Sequence, residues 1–137
     1  VMAGSDIVAL DATGRPRLDG LSFASTVAAL REDGTLVMAD CGSFEDAQRA
    51  VRAGVDIVST TLAGYTGDRV KTDGPDLELL AEVVAAFPDV PVICEGRVHT
   101  PEQAAAAIEV GAFAVIVGTA ITHPTSITTW FKAAVEG

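Results

Sequence analysis

Basic residues are scarce in this chain: nine lysines and arginines stand against nineteen aspartates and glutamates, for a formal net charge of −10. A surface that neutralises nucleic-acid phosphates needs a surplus of lysine and arginine, so no nucleic-acid partner is expected, and the acidity reads as a source of solubility. Cysteine is equally sparse. Cys41 and Cys94 fall at the ends of different expected strands, in neither a disulfide nor a metal-ligand spacing, so two reduced thiols in a cytoplasmic protein are expected. Long apolar runs are missing as well. Stretches such as Phe113 to Val117 are far shorter than the roughly 20 residues of a membrane span, and no basic segment with an apolar leader opens the chain. No membrane partner is expected. What the 137 residues do hold is 49% apolar side chains, enough for the core of a single domain over residues 1–137.

Short β-branched apolar runs alternate with alanine-rich amphipathic segments, the βαβα rhythm of a parallel sheet covered by helices. Five strands are expected, roughly Asp6 to Leu10, Leu36 to Ala39, Asp56 to Thr60, Val92 to Cys94 and Ala114 to Val117, each apolar enough to be buried on both faces. The helices are expected over Ser22 to Asp33, Phe44 to Ala53, Pro75 to Phe87, Pro101 to Val110 and Pro124 to Val135. Ser43 followed by Asp46, and Thr100 before Pro101, mark helix starts. An echo runs through the chain. Gly4-Ser5-Asp6-Ile7-Val8, Gly54-Val55-Asp56-Ile57-Val58 and Gly111-Ala112-Phe113-Ala114-Val115 each put a helix-ending glycine before an apolar strand. Because the first echo lies at the N-terminus, the chain is expected to open inside a repeating unit. Two folds fit: a partial (β/α)8 barrel of about five βα units, or a complete five-stranded doubly wound domain.

In parallel α/β folds ligands bind at the C-terminal ends of the strands, and those ends are polar here. Asp11 ends the first strand, Asp40 the second, Thr60 and Thr61 the third and Glu95 the fourth. Glycine turns, Glu95-Gly96-Arg97 and Val117-Gly118-Thr119, follow the last two strands, where backbone N–H groups approach an anion closely and a helix begins just beyond. Converging carboxylates repel one another and raise at least one pKa, which suits proton transfer beside a carbonyl. Glu95, between an apolar strand and a glycine turn, is the expected proton-transfer group, while Asp11 and Asp40 suit sugar hydroxyls equally well. No histidine accompanies these acids at ligand spacing, and no metal is expected. The segment Leu62 to Pro75, with the only tyrosine, Tyr65, and the cations Arg69 and Lys71, reads as a loop that closes over a ligand.

Taken in order, Ala9-Leu10-Asp11-Ala12-Thr13 with Arg15-Pro16, Met38-Ala39-Asp40, Thr60-Thr61-Leu62-Ala63-Gly64-Tyr65-Thr66, Lys71-Thr72-Asp73-Gly74-Pro75-Asp76, Glu95-Gly96-Arg97 and Val117-Gly118-Thr119-Ala120-Ile121-Thr122 resemble the N-acetylmannosamine-6-phosphate 2-epimerase family. The resemblance spans essentially the whole chain. It implies an α/β fold, a (β/α)8 TIM barrel of the ribulose-phosphate-binding type, with these units as strands four to eight. It also implies interconversion of N-acetylmannosamine 6-phosphate and N-acetylglucosamine 6-phosphate by proton removal and return at C2, in bacterial sialic acid breakdown, with no redox or organic cofactor. By the resemblance Glu95 would be catalytic, Asp40 would bind substrate, and Gly96, Arg97, Gly118 and Thr119 would hold the phosphate; from their places on the strand ends and in the 62–75 loop, Asp11, Thr60, Tyr65 and Arg69 are expected to face the sugar as well. The family's lysine on an early strand is absent from this chain, Lys71 lies in a different loop, and His123 stands where the family pattern has arginine. The chain alone is therefore expected to be impaired and, with a half-sheet open at its edges, to self-associate. A noncatalytic sugar-phosphate-binding or assembly module, or another phosphate-binding barrel enzyme, are the competing readings.

Overall fold

The computed structural model describes residues 4–137, so the first three residues of the expected domain lie outside the described residues. The elements run β1 (Ile7–Asp11), α1 (Phe23–Glu32), β2 (Leu36–Asp40), α2 (Phe44–Ala53), β3 (Ile57–Ser59), α3 (Leu77–Ala86), β4 (Val92–Glu95), α4 (Pro101–Val110), β5 (Ala114–Ile116), α5 (Thr119–Thr122) and α6 (Pro124–Glu136). All neighbouring strands pair in parallel, in the order β1-β2-β3-β4-β5. That order chooses between the two folds. A doubly wound sheet reverses its strand order at a switch point, whereas an unbroken sequence of right-handed crossovers puts every helix on one face, as in a barrel. The chain is a partial α/β barrel.

The core lies between the sheet and that helical layer: Val37, Ala39, Val58, Val92 and Cys94 meet Val27, Ala47, Ala50, Leu79, Leu80, Val83 and Ala107, all buried. The expectation that the strands are buried on both faces is corrected here. Side chains alternate along a strand, and on the opposite face Ile7 and Leu36 are 47% and 46% exposed. This second face is the one a closed barrel turns inward.

Helix starts follow local chemistry. Thr100 and Gln103 form a full capping box, with Gln103 N donating to Thr100 Oγ1 and Thr100 N to Gln103 Oε1. At α2 only half of that arrangement forms: Ser43 Oγ accepts from Asp46 N, but Asp46 Oδ2 accepts from Gly42 N at 3.0 Å and not from Ser43. Helix α3 begins at Leu77 and not at Pro75, because Asp76 is its cap, accepting from Leu79 N at 2.9 Å. The short α5 was not legible as a helix from its four residues. His123 then caps α6, its Nδ1 accepting from Ser126 N at 3.3 Å.

Candidate functional site

Strand register brings Asp11, Asp40 and Ser59 side by side along one edge of the sheet, with Glu95 beyond them at the end of β4. Thr60 fixes where Glu95 sits. Its hydroxyl donates to Glu95 O at 3.0 Å and accepts from Glu95 N at 3.1 Å, tying the last residue of β4 to β3 where the ladder ends. At 1% exposure Thr60 has no surface left for a ligand, so this residue, expected to touch substrate, acts on Glu95 through the backbone. The Glu95 side chain meets hydroxyls instead: Oε2 accepts from Thr61 Oγ1 at 2.9 Å, with Ser59 Oγ at 3.4 Å. Thr61 Oγ1 also lies 3.0 Å from Asp40 Oδ1 and 2.7 Å from Ser59 Oγ. Burial pushes the Asp40 carboxyl up, and the negative charges of Glu95 and Asp11 push the same way, against the hydrogen bond from Thr61.

Glu95 lines a cleft of about 460 Å³ together with Tyr65, Gly96, Arg97, Gly118 and Thr119. These six, expected to serve one ligand, do meet around one space. Gly96 makes the turn possible: its φ is 99°, and a Cβ there would meet Thr61 O at 3.3 Å. Arg97, next in the chain, takes a left-handed φ of 57° and turns its guanidinium away toward the 62–75 loop. It donates to Gly74 O (Nε, 3.0 Å), Ala63 O (Nη1, 2.7 Å) and Thr72 Oγ1 (Nη2, 3.0 Å). Its Cζ also lies 5.1 Å from the centre of the Tyr65 ring, which Lys71 Nζ approaches to the same distance. The Arg97 side chain therefore pins the Tyr65 loop while it lines the cleft, with one N–H on each Nη still uncommitted.

Two expected site residues have their charged groups engaged by other side chains. Arg69 donates from Nε to Asp76 Oδ2 at 2.7 Å and from Nη2 to Asp76 Oδ1 and Glu78 Oε2, both at 3.1 Å, outside the cleft. Asp11 is engaged by its own turn, accepting from Thr13 N, Thr13 Oγ1 and Arg15 Nη2. Among the described residues no cluster of three or more His, Cys, Asp or Glu side chains is placed to hold a metal ion. Cys41 and Cys94 are buried free thiols, pushed up by burial and so unreactive.

The family model for N-acetylmannosamine-6-phosphate epimerase matches residues 1–137, the whole chain. The chain belongs to the N-acetylmannosamine-6-phosphate epimerase family. A Cutibacterium acnes relative named for the 2-epimerase is 58% identical over 136 residues, covering 98% of this chain and 59% of the relative. A Corynebacterium glutamicum relative of the same name is 49% identical, covering 96% of this chain and 56% of its own length. The solved N-acetylmannosamine-6-phosphate 2-epimerase of Clostridium perfringens superposes with a TM-score of 0.90 at 43% identity, over 94% of this chain and 56% of that one. The chain thus spans somewhat more than half the length of these epimerase-family relatives.

Sequence reasoning missed Ser59 and Thr61 as partners of Glu95, and it did not single out His99, which lines the cleft with its ring tilted against Trp130, centroids 4.8 Å apart. The signal for the first two was available. Counting by twos from Ile93, which pairs with Ser59, puts Ser59, Thr61 and Glu95 on one face and Thr60 on the other.

Proposed function

We propose that the whole protein interconverts N-acetylmannosamine 6-phosphate and N-acetylglucosamine 6-phosphate, and that this chain forms the C-terminal five βα units of its barrel, with Glu95 as one proton-transfer group at C2. The carrying observation is that a carboxylate fixed by Thr60 and Thr61 opens onto the same cleft as the turns at Gly96 and Gly118. A sugar phosphate anchored by the backbone at Gly96-Arg97 and Gly118-Thr119 would lay its carbon chain along the rim toward Glu95, under the ring of Tyr65. Asp40, one strand further, suits a sugar hydroxyl. Arg69 and Asp11 have no part in this reading, since Asp76 and Arg15 hold them. Lys71, over Tyr65, does not reach the Glu95 side of the cleft as a lining residue, so the second acid/base group belongs to the lysine that the family resemblance puts on an early strand. A cytoplasmic, self-associating protein completes the proposal; apolar side chains such as Phe113 and Phe131, 74% and 72% exposed, supply surface for association.

The test is proton exchange at C2 of the sugar phosphate in deuterium oxide, catalysed by the whole protein. Exchange that Glu95→Gln abolishes supports the proposal. No exchange, with the sugar phosphate still bound, would establish a noncatalytic binding module instead. Sedimentation of the chain checks self-association, and a compact monomer would refute it.

A further inference from the structure

The hydroxyl of Thr61 has more close neighbours than its protons can serve. Three oxygens stand within 3.0 Å of Thr61 Oγ1: Ser59 Oγ at 2.7 Å, Glu95 Oε2 at 2.9 Å and Asp40 Oδ1 at 3.0 Å. A hydroxyl donates once and accepts twice, and the two hydroxyls bring two protons in all. With both carboxylates ionised, one of the three contacts sets lone pair against lone pair at hydrogen-bond distance. A single carboxyl proton removes that conflict. Ser59 then donates to Thr61, Thr61 donates to one carboxylate, and the other carboxyl donates to Thr61. Two such arrangements exist, with the proton on Asp40 or on Glu95.

We infer that Asp40 and Glu95 hold one proton between them, passed through the Thr61 hydroxyl, so that Asp40 is the store from which Glu95 is reset. The transfer balances: the Asp40 O–H bond breaks as its proton moves to Thr61 Oγ1, and the proton of Thr61 moves to Glu95 Oε2. One O–H is lost and one gained at the ends, Thr61 keeps one proton throughout, and the charge of the pair stays at minus one. The surroundings favour a shared proton over two charges. From β1 the facing group is Asp11, whose charge is matched by Arg15 at 2.6 Å; β3 offers only hydroxyls; β4 offers Glu95 itself. Burial and the two neighbouring acids push the Asp40 carboxyl up in the same sense. Asp40 acts here through Thr61 and Glu95, and it is a positioning residue for the proton. Its use in the reaction rests on the epimerase reading, while the sharing itself does not.

Carbon-13 NMR titration of the side-chain carboxyls of this chain reads the sharing without any substrate. The Asp40 and Glu95 resonances should respond together to the same protonation events, because a proton shared through Thr61 belongs to the pair and not to either residue. Thr61→Val should separate them, leaving one resonance per step, and Thr61→Ser, which keeps the hydroxyl and controls for folding, should restore the joint step. Independent titration in the unaltered chain, or a joint step that persists in Thr61→Val, would overturn the inference. In the whole protein, Thr61→Val should slow C2 exchange by about tenfold through kcat rather than KM and shift its pH profile, with Thr61→Ser near normal. Joint titration without any C2 exchange would leave the proton pair standing and refute the epimerase reading alone.

Discussion

Asp11 and Glu95 both end strands of one parallel sheet, yet their carboxylates are treated in opposite ways. The turn after Asp11 supplies three donors to its carboxylate: Thr13 donates from N at 2.9 Å and from Oγ1 at 2.6 Å, and Arg15 Nη2 donates at 2.6 Å. Burial alone would push Asp11 up, but those bonds and the Arg15 charge hold it below the usual carboxylate range. Glu95 is followed by Gly96, which has no side chain to donate, and by Arg97, whose guanidinium is engaged by Gly74, Ala63 and Thr72. Its partners are hydroxyls on the neighbouring strand, which orient it without neutralising it. A strand-end acid whose own loop completes its hydrogen bonds is part of the scaffold; one whose loop turns away is left to meet a ligand.

The largest effect should therefore fall on Glu95. Glu95→Gln keeps the shape and removes the base, and should lower C2 exchange by about 10²- to 10⁴-fold in the whole protein, while Asp11→Asn changes it by less than about threefold. Comparable losses from the two would erase the distinction. Next comes Asp76, an acid completed as fully as Asp11 but buried at 3% side-chain exposure between Arg69 and the first turn of α3. Burial would raise its pKa, yet the hydrogen bonds from Arg69 and Leu79 and the Arg69 charge hold it low. A depressed folded pKa gives stability that is present above the unfolded value and lost as pH falls through the folded one. Asp76→Asn should cost about 2 kcal/mol near neutral pH, and less in acid, as read by urea denaturation. A third effect concerns the clamp on Glu95: Thr60→Val leaves a buried N–H and C=O without their partner and should cost about 1–2 kcal/mol, with slower exchange because Glu95 loses its register. Unchanged stability in that variant would mean that β4 is placed by the ladder alone.

Much of this contrast is legible in the amino-acid sequence. The glycine after Glu95, the apolar strand before it and the alternation of elements are local properties of the chain, and local patterns survive folding. The five strands and the helix over 44–53 lie where periodicity and capping residues put them, within a residue or two. What could not be read depends on contacts between distant segments. The sequence beside Gly96 does not show that the Arg97 guanidinium also donates to carbonyls 23 and 34 residues earlier. Nor does it show that Arg69 pairs with Asp76 and Glu78, seven and nine residues later. Both are cations with many donors, and such groups go to whichever acceptors the loop brings nearest. The assumption that apolar strands are buried on both faces failed for a different reason: pattern shows which residues are apolar, not how many layers cover them.

The smallest effect tests the contrast at its middle member. Asp40 lies between the completed Asp11 and the open Glu95, and its carboxyl is raised by burial and by both of those charges. A folded pKa above the unfolded value means that the native chain holds the proton more tightly. The stability it confers is complete below the unfolded pKa and is lost as pH rises through the folded one, opposite in sign to Asp76. Asp40→Asn cannot ionise, and its amide still donates to Thr61 Oγ1. The variant should match the unaltered chain in acid and become the more stable of the two as pH rises, by less than about 1 kcal/mol because the site is partly open to solvent. Urea midpoints measured on both sides of the ordinary carboxylate range decide it. A difference that stays constant with pH, or that favours the unaltered chain at neutral pH, would mean that Asp40 is completed by its surroundings as Asp11 is, and that Glu95 stands alone on the rim.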